Sequence, residues 1–287
     1  MKKKRCPNGI ARRKSPTLTG SVLKAVDVLE CIASLNEAAG VTEVSRKLRL
    51  DKSTAYRILS TLEARGYVNQ DADTRRYTLG YKILELSHSA SEQSGLKKAA
   101  APVLDAVVKE CNEAVHLGIP DDGAVFYLDS RNCPQSVGII SRVGLRNPIH
   151  CTALGKVLLA FMPEDDAREI CRREKMKRFT RRTITDFSVL TKELLRIRRL
   201  GYAVDNREFS PHGRCLAAPV RNHSGKVIAA LSISAPADRL NNKQVKVLSQ
   251  KIIARAAKIS AGLGYRGKAA RDFPCAVPVK SSARRDL

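Results

Sequence analysis

Two groups of side chains in this sequence have types and spacing suited to recognition chemistry. The first opens the stretch RLDKSTAYRILSTLEARGYV. Ala55, Ile58, Leu59 and Leu62 recur at i, i+3, i+4 and i+7, which is one face of a helix. Lys52, Ser53, Thr54, Tyr56 and Arg57 crowd its first turns, away from that face. Such side chains bond phosphate oxygens or base edges. The second group lies in the C-terminal half. In VIAALSIS, strand alternation sets Leu231 and Ile233 on one face and Ser232 and Ser234 on the other. For an isolated strand the default is polar-out, with the serines in solvent. Thr152 can cap a helix beginning Ala153–Leu154–Gly155, whose first-turn N–H groups would suit a carboxylate or phosphate. Asp205 and Cys215 fall in strands expected to neighbour the serine strand. An aspartate beside an anion site fits a ligand that also presents a hydroxyl, a hydrate or a protonated group.

Other chemistry is weaker. Cys151 beside His150, and Cys215 near His212, are candidate nucleophile–base pairs. Adjacency in sequence supplies neither a positioned base nor an oxyanion site, so no enzyme is expected. GLGYRGKA (262–269) fits G-x-G-x-x-G and nearly fits a P-loop. It ends a helix instead of opening one, and Ala269 stands where the P-loop hydroxyl belongs, so it is rejected. The eight cysteines are scattered without a Cys-x-x-Cys pair, which predicts reduced thiols, no zinc site and no cofactor.

The scaffold that must carry these residues is long enough, at 287 residues, for two domains. A net charge of +24 points to a polyanionic partner. Residues 1–19 hold seven Lys/Arg and no acid, a basic arm. Apolar residues at helical spacing predict a first helix over 21–35 and a short second one over 42–48, with Thr42 as its N-cap. The turn RLD follows, with Asp51 placed to cap the third helix and Gly66 to end it. YVNQ and RRYTLG read as two short strands joined by DADT. Three helices and a hairpin make a winged helix-turn-helix over 20–80, whose third helix enters the major groove. Arg46, Lys47, Arg75 and Arg76 would then suit backbone phosphates. Residues 1–80 carry 16 Lys/Arg against 8 Asp/Glu, which favours DNA over a protein partner.

A connecting helix is expected over 81–95, then an α+β domain over 96–264 built on a mainly antiparallel sheet. Its helix near Val103–Cys111 would take Pro102 in the first turn, and AVHLGI, AVFYLDS and VGIIS read as strands. Residues 265–287 are a second basic tail. No apolar run approaches the roughly 18 residues of a membrane span, and the basic N-terminus lacks a signal-peptide core. A cytoplasmic protein with no membrane partner is expected.

STAYRILSTLEARGYV, RRYTLG, PIHCTALGKVLLAFM, TIT, GYAVDNRE, GRCLAAPV and ALSISAP, in that order, resemble the IclR-type bacterial transcriptional regulators from about Ser21 to Gly264. The resemblance implies a winged helix-turn-helix, a helical linker and a C-terminal GAF-like effector domain. It implies a homodimer or dimer of dimers on a palindromic operator in double-stranded DNA, controlled by a small organic acid. It places the effector at Ala153, Leu154, Asp205, Cys215, Ser232 and Ser234, which turns both serines inward. Leu154 is bulkier than the small residue some members carry there. The competing readings are a constitutive architectural DNA-binder with a non-functional effector domain and, least favoured, a Cys-dependent enzyme.

Overall fold

The computed structural model describes residues 18–35 and 37–267. Most of the basic arm and tail, Cys6, Cys275, Lys268 and Ala269 lie outside the described residues. The chain forms two compact units that divide between Ser94 and Gly95.

The first unit contains α1 (Gly20–Ala33), α2 (Val41–Leu48), α3 (Lys52–Ala64), the hairpin β1 (Val68–Gln70) and β2 (Tyr77–Leu79), and α4 (Lys82–Gln93). Val28, Ile32, Val44, Leu59, Val68 and Tyr77 form its core. The α2–α3 turn is held by Arg49 in the left-handed region (φ 54°) and by the Ser45 hydroxyl donating to Leu50 O at 2.7 Å. α2 starts one residue earlier than expected. Gly40 is its N-cap, and Thr42 lies inside the first turn. Asp51 occupies the N-cap position of α3 but makes no side-chain cap bond. Gly66 (φ 74°) ends α3, and Gly80 packs so closely on it that a Cβ there would sit 2.1 Å from Gly66 O.

The second unit runs α5 (Gly95–Cys111), β3 (Ala114–Asp121), β4 (Ala124–Arg131), β5 (Arg146–Pro148), α6 (Ala153–Ala160), α7 (Glu164–Glu174), α8 (Phe187–Leu200), β6 (Ala203–Asn206), β7 (Gly213–Arg221), β8 (Val227–Pro236) and α9 (Asn242–Gly262). Its strands form one antiparallel sheet in the order β5-β4-β3-β8-β7-β6. Leu117, Leu216, Leu231 and Ile233 face α5 and α9. Val125, Tyr127, Ala217 and Ala230 face α6 and its neighbours. Both faces are thus covered, and the polar-out default for Ser232 and Ser234 does not apply; they are buried.

Two expectations need correction here. α5 begins at Gly95, so Pro102 sits in its interior, not its first turn. VGIIS (137–141) forms no strand. β5 pairs with β4 only at Ala124–Phe126, and the chain before Gly144 leaves that edge, so Val137 and Ile140 are exposed at 67% and 77%. An apolar run without a neighbouring ladder has no backbone partners to make it a strand.

α6 is buried along its whole length. Thr152 caps it, accepting from Gly155 N at 3.2 Å and donating to Pro148 O at 2.8 Å. That tight entry needs glycine, because a Cβ on Gly155 would lie 2.0 Å from Ile149 O. Backbone cannot yield as a side-chain tip would. Gly155→Ala is therefore expected to destabilise the second unit by about 3 kcal/mol, lowering its Tm by about 6–12 °C. Calorimetry of parent and variant measures this directly.

Candidate functional site

In the first unit, packing sorts the residues of α3. Ala55 and Leu59 are fully buried, while Lys52, Ser53, Tyr56 and Arg57 are exposed. Tyr56 leaves 56% of its surface in water. No acid occupies the first turn, and the N-cap Asp51 makes no side-chain bond to the first-turn N–H groups. This suits a phosphate or an electron-rich base edge. Thr54 is half-buried and shares a groove with Ser21 and Lys24 of α1.

The flanking basic residues divide. Arg46 is exposed, as is Lys47, whose ammonium donates to Ser34 Oγ at 3.0 Å. Arg75 stands exposed in the wing turn at φ 56°. Arg76 differs from expectation. Its Nε donates to Ala38 O at 2.6 Å and its terminal nitrogen pairs with Glu43 at 3.0 Å. The bridge between Ala39 and Tyr77 brings Glu43 within reach, so Arg76 fastens the wing to the α1–α2 connection and to α2 while 42% of its side chain stays in water.

In the second unit, sheet register gathers the other group. Asp205, Cys215 and Ser234 stand in one row across β6, β7 and β8. Ala217, Ser232 and His116 stand in the next row on the same face. Paired residues share a face, and rows two residues apart share it too. That face is the one α6 covers, and Ala153, Leu154, Asp205, Ser232, Ser234 and His116 are all buried. Ser234 Oγ lies 3.3 Å from His116 Nδ1 and beside the Cys215 thiol. His116 packs edge-on against Tyr127 at 5.2 Å. Leu154 lies over Gly118, where an added Cβ would come within 3.0 Å of its Cδ1.

The electrostatics are those of a dry site. Burial pushes the Asp205 carboxyl up to about 7, despite the N–H of Glu208 donating to its Oδ1 at 2.7 Å. Burial lowers His116 to about 4, so its ring is neutral at pH 7. Two atoms here have no hydrogen-bond partner among the described residues: His116 Nε2 and Ser232 Oγ. Buried polar atoms are rarely left so.

Reasoning from sequence missed three contributors. His116 shares the alternation of Ala114 and Gly118, but only the pairing with Ser232 reveals its place. Lys156 lies within an apolar helical run, yet its ammonium donates to Val204 O at 2.7 Å and to Glu208 at 2.5 Å. Thr183, inside the TIT motif, donates to Glu208 O at 2.6 Å and fixes the turn after β6.

The candidate nucleophiles are poorly placed for catalysis. Burial pushes Cys215 up to about 12 and raises Cys151 further, so both are protonated thiols at neutral pH. His212 is exposed, and His150 Nε2 bonds Lys177 O at 3.0 Å. The described cysteines are all free, no cluster of metal ligands occurs among the described residues, and no described helix is long and apolar enough to cross a membrane.

Comparison with known proteins agrees with this layout. Residues 21–72 match the IclR helix-turn-helix domain, and residues 88–261 match the bacterial transcriptional regulator IclR C-terminal domain. The regulator KdgR of Escherichia coli is 36% identical over 91% of this chain and 97% of its own. BhcR of Paracoccus denitrificans is 32% identical over 85% of this chain and 87% of its own. The crystal structure of Thermotoga maritima IclR shares 33% identity, covers 85% of this chain and 99% of its own, and superposes with a TM-score of 0.72. An IclR homologue from Microbacterium hydrocarbonoxydans, solved in complex with 4-hydroxybenzoate, shares 26% identity, covers 85% and 98%, and superposes at 0.75. This chain belongs to the IclR family of DNA-binding transcriptional regulators.

Proposed function

We propose that a small organic acid bound beneath α6 controls how this protein, as a homodimer, holds a palindromic operator. The observation that carries this reading is the pair of unpartnered atoms, His116 Nε2 and Ser232 Oγ, buried beside Asp205, Cys215 and Ser234. An acid would satisfy them. Its carboxylate would take the Ser232 hydroxyl and the first-turn N–H groups of α6 at Ala153 and Leu154. A hydroxyl elsewhere on the ligand would meet His116 or Asp205. The 4-hydroxybenzoate complex of the Microbacterium relative supports an acid carrying a hydroxyl.

Control would work by linkage. An acid that binds one arrangement of the dimer better shifts the population towards it, and a coupling of about 1–3 kcal/mol suffices. On the DNA side, Lys52, Ser53, Thr54, Tyr56 and Arg57 would contact the duplex, with Arg46, Lys47 and Arg75 on phosphates.

Fluorescence anisotropy tests the core of this reading. The probe is a duplex from the region upstream of the gene encoding this protein, with a scrambled control at about 150 mM salt. Selective binding that one of a panel of aliphatic and aromatic acids shifts is the expected result. Equal binding to both duplexes, unmoved by any acid, would overturn it. Arg57→Ala should weaken operator binding by about 1–3 kcal/mol, or about 5- to 150-fold, and leave acid binding intact. Ser232→Ala should abolish the response to acid while leaving Tm unchanged or raised, because it removes a buried hydroxyl with no partner.

The pH dependence follows from Asp205. An anionic ligand favours its protonated form, which is populated below about 7. Acid affinity should therefore be flat below pH 7 and fall above it, at a limiting slope of about tenfold per pH unit. Asp205→Asn, which holds no titrating proton, should flatten that profile. A parent profile that rises between pH 7 and 8 would rule out this placement of the ligand.

A further inference from the structure

β7 alternates between two environments. Cys215 faces α6, whereas Arg214, one residue earlier and paired with Asn206, faces the other way at the β6 edge of the sheet. There it lines an open cleft of about 570 Å³ between α8, β6 and the start of α9. That volume is in the range of small-molecule sites. The cleft lies behind the acid site proposed above and shares none of its side chains.

Its charges do not balance. Three arginines line it, Arg182, Arg196 and Arg214, with two glutamates, Glu193 and Glu208. Both glutamates are already engaged. Glu193 pairs with Arg196 at 3.2 Å and lies 3.6 Å from the Lys156 ammonium. Glu208 Oε1 takes the same ammonium at 2.5 Å. No carboxylate among the described residues pairs with Arg182 or Arg214. Arg214 is only 8% exposed; burial and like charge from Arg207 and Arg182 disfavour its charged form, against a smaller opposing pull from Asp205. Its two terminal nitrogens donate to Leu240 O at 2.7 Å and Asn242 Oδ1 at 3.1 Å. Its Nε has no partner. A buried guanidinium with no carboxylate in contact is costly, and an unmet N–H adds to that cost. Glu208, which also lines the cleft, keeps an unmet buried acceptor in its Oε2.

We infer that this cleft is a second ligand site, for a small hydroxylated anion. A carboxylate or phosphate would sit between Arg182 and Arg214, accepting from Arg214 Nε. A hydroxyl of the same molecule would donate to Glu208 Oε2. The two orphaned atoms call for complementary groups on one ligand, an acceptor at Arg214 and a donor at Glu208. Because Glu208 also donates its backbone N–H to Asp205, a ligand here touches the same turn that shapes the neighbouring acid site.

Isothermal titration calorimetry on the full chain tests this, with glycerol 3-phosphate and glycerate as the phosphate and carboxylate probes. Saturable heat from either probe is expected, and which one gives it identifies the anion. Arg182 is exposed and its side chain bonds nothing among the described residues, so Arg182→Gln should fold normally and weaken binding about tenfold or more, one charge-assisted contact. Arg214→Lys keeps the charge and removes the fork, and should weaken it likewise. Ser232→Ala reports whether heat arises beneath α6 instead. No saturable heat from either probe, unaltered affinity in Arg182→Gln, or loss of binding in Ser232→Ala would each overturn the inference. None of these results depends on the acid-response reading, which is scored on DNA.

Discussion

A buried lysine sets the terms for the second unit. Lys156 is 1% exposed in the middle of α6, where every neighbour along the helix is also buried. Its ammonium must find acceptors in the dry interior, because leaving it unpaired there would cost several kcal/mol. It finds Val204 O, Glu208 and Glu193, on β6, the following turn and α8. Three elements are thereby registered against one nitrogen. The pair is not a gain in stability over an apolar core of the same shape. What it supplies is placement. β6 is the outermost strand of the sheet, paired on one side only, and Lys156 occupies one of its carbonyls. The strand so held carries Asp205, and the turn so held carries Glu208. The polar cluster under α6 and the arginine cleft at the sheet edge both inherit their geometry from that contact.

The fold was legible wherever its signals were local. The apolar stripe of α3, Gly66 at its end, Thr152 before α6 and Gly201 after α8 each act within a few residues, and each stands in the expected place. Errors arose where a local pattern had two solutions. Gly40 and Thr42 both precede the apolar residues of α2, and the chain uses the earlier one. Pro102 suits a first turn, yet α5 begins seven residues before it. VGIIS has strand composition but no partner edge.

The candidate site was legible by a different route. Asp205, Cys215, Ser232 and Ser234 were found through motifs, whereas alternation alone would have sent the serines to solvent. What sequence could not supply was pairing. His116 and Ser234 are 118 residues apart in the chain and 3.3 Å apart in space. Nothing local to AVHLGI distinguishes a histidine beside a serine from one in an ordinary strand. Arg76 shows the converse. Its place on the wing suggested phosphate, and only the Ala39–Tyr77 bridge shows that Glu43 claims it first.

The unmet polar atoms are informative because of where they are not. In the first unit Tyr77 Oη is the one such side-chain atom among the described residues, and the Lys156 network closes on itself except at Glu208 Oε2. In the second unit, four of the orphaned atoms fall into two pairs: His116 Nε2 on β3 and Ser232 Oγ on β8 under α6, and Arg214 Nε on β7 and Glu208 Oε2 on the turn after β6 at the edge cleft. An apolar replacement at Ser232, whose hydroxyl has no partner, would give a more stable sheet. A protein that keeps such groups unpaired holds binding capacity in reserve at the expense of stability. This cost is carried by β3, β7, β8 and the turn after β6. A ligand that satisfied either pair would remove a local penalty while bridging β3 to β8, or β7 to the turn after β6. It would thereby stabilise the arrangement of the strands it bridges over any other, and that differential is the physical requirement for a ligand to act on a conformational equilibrium.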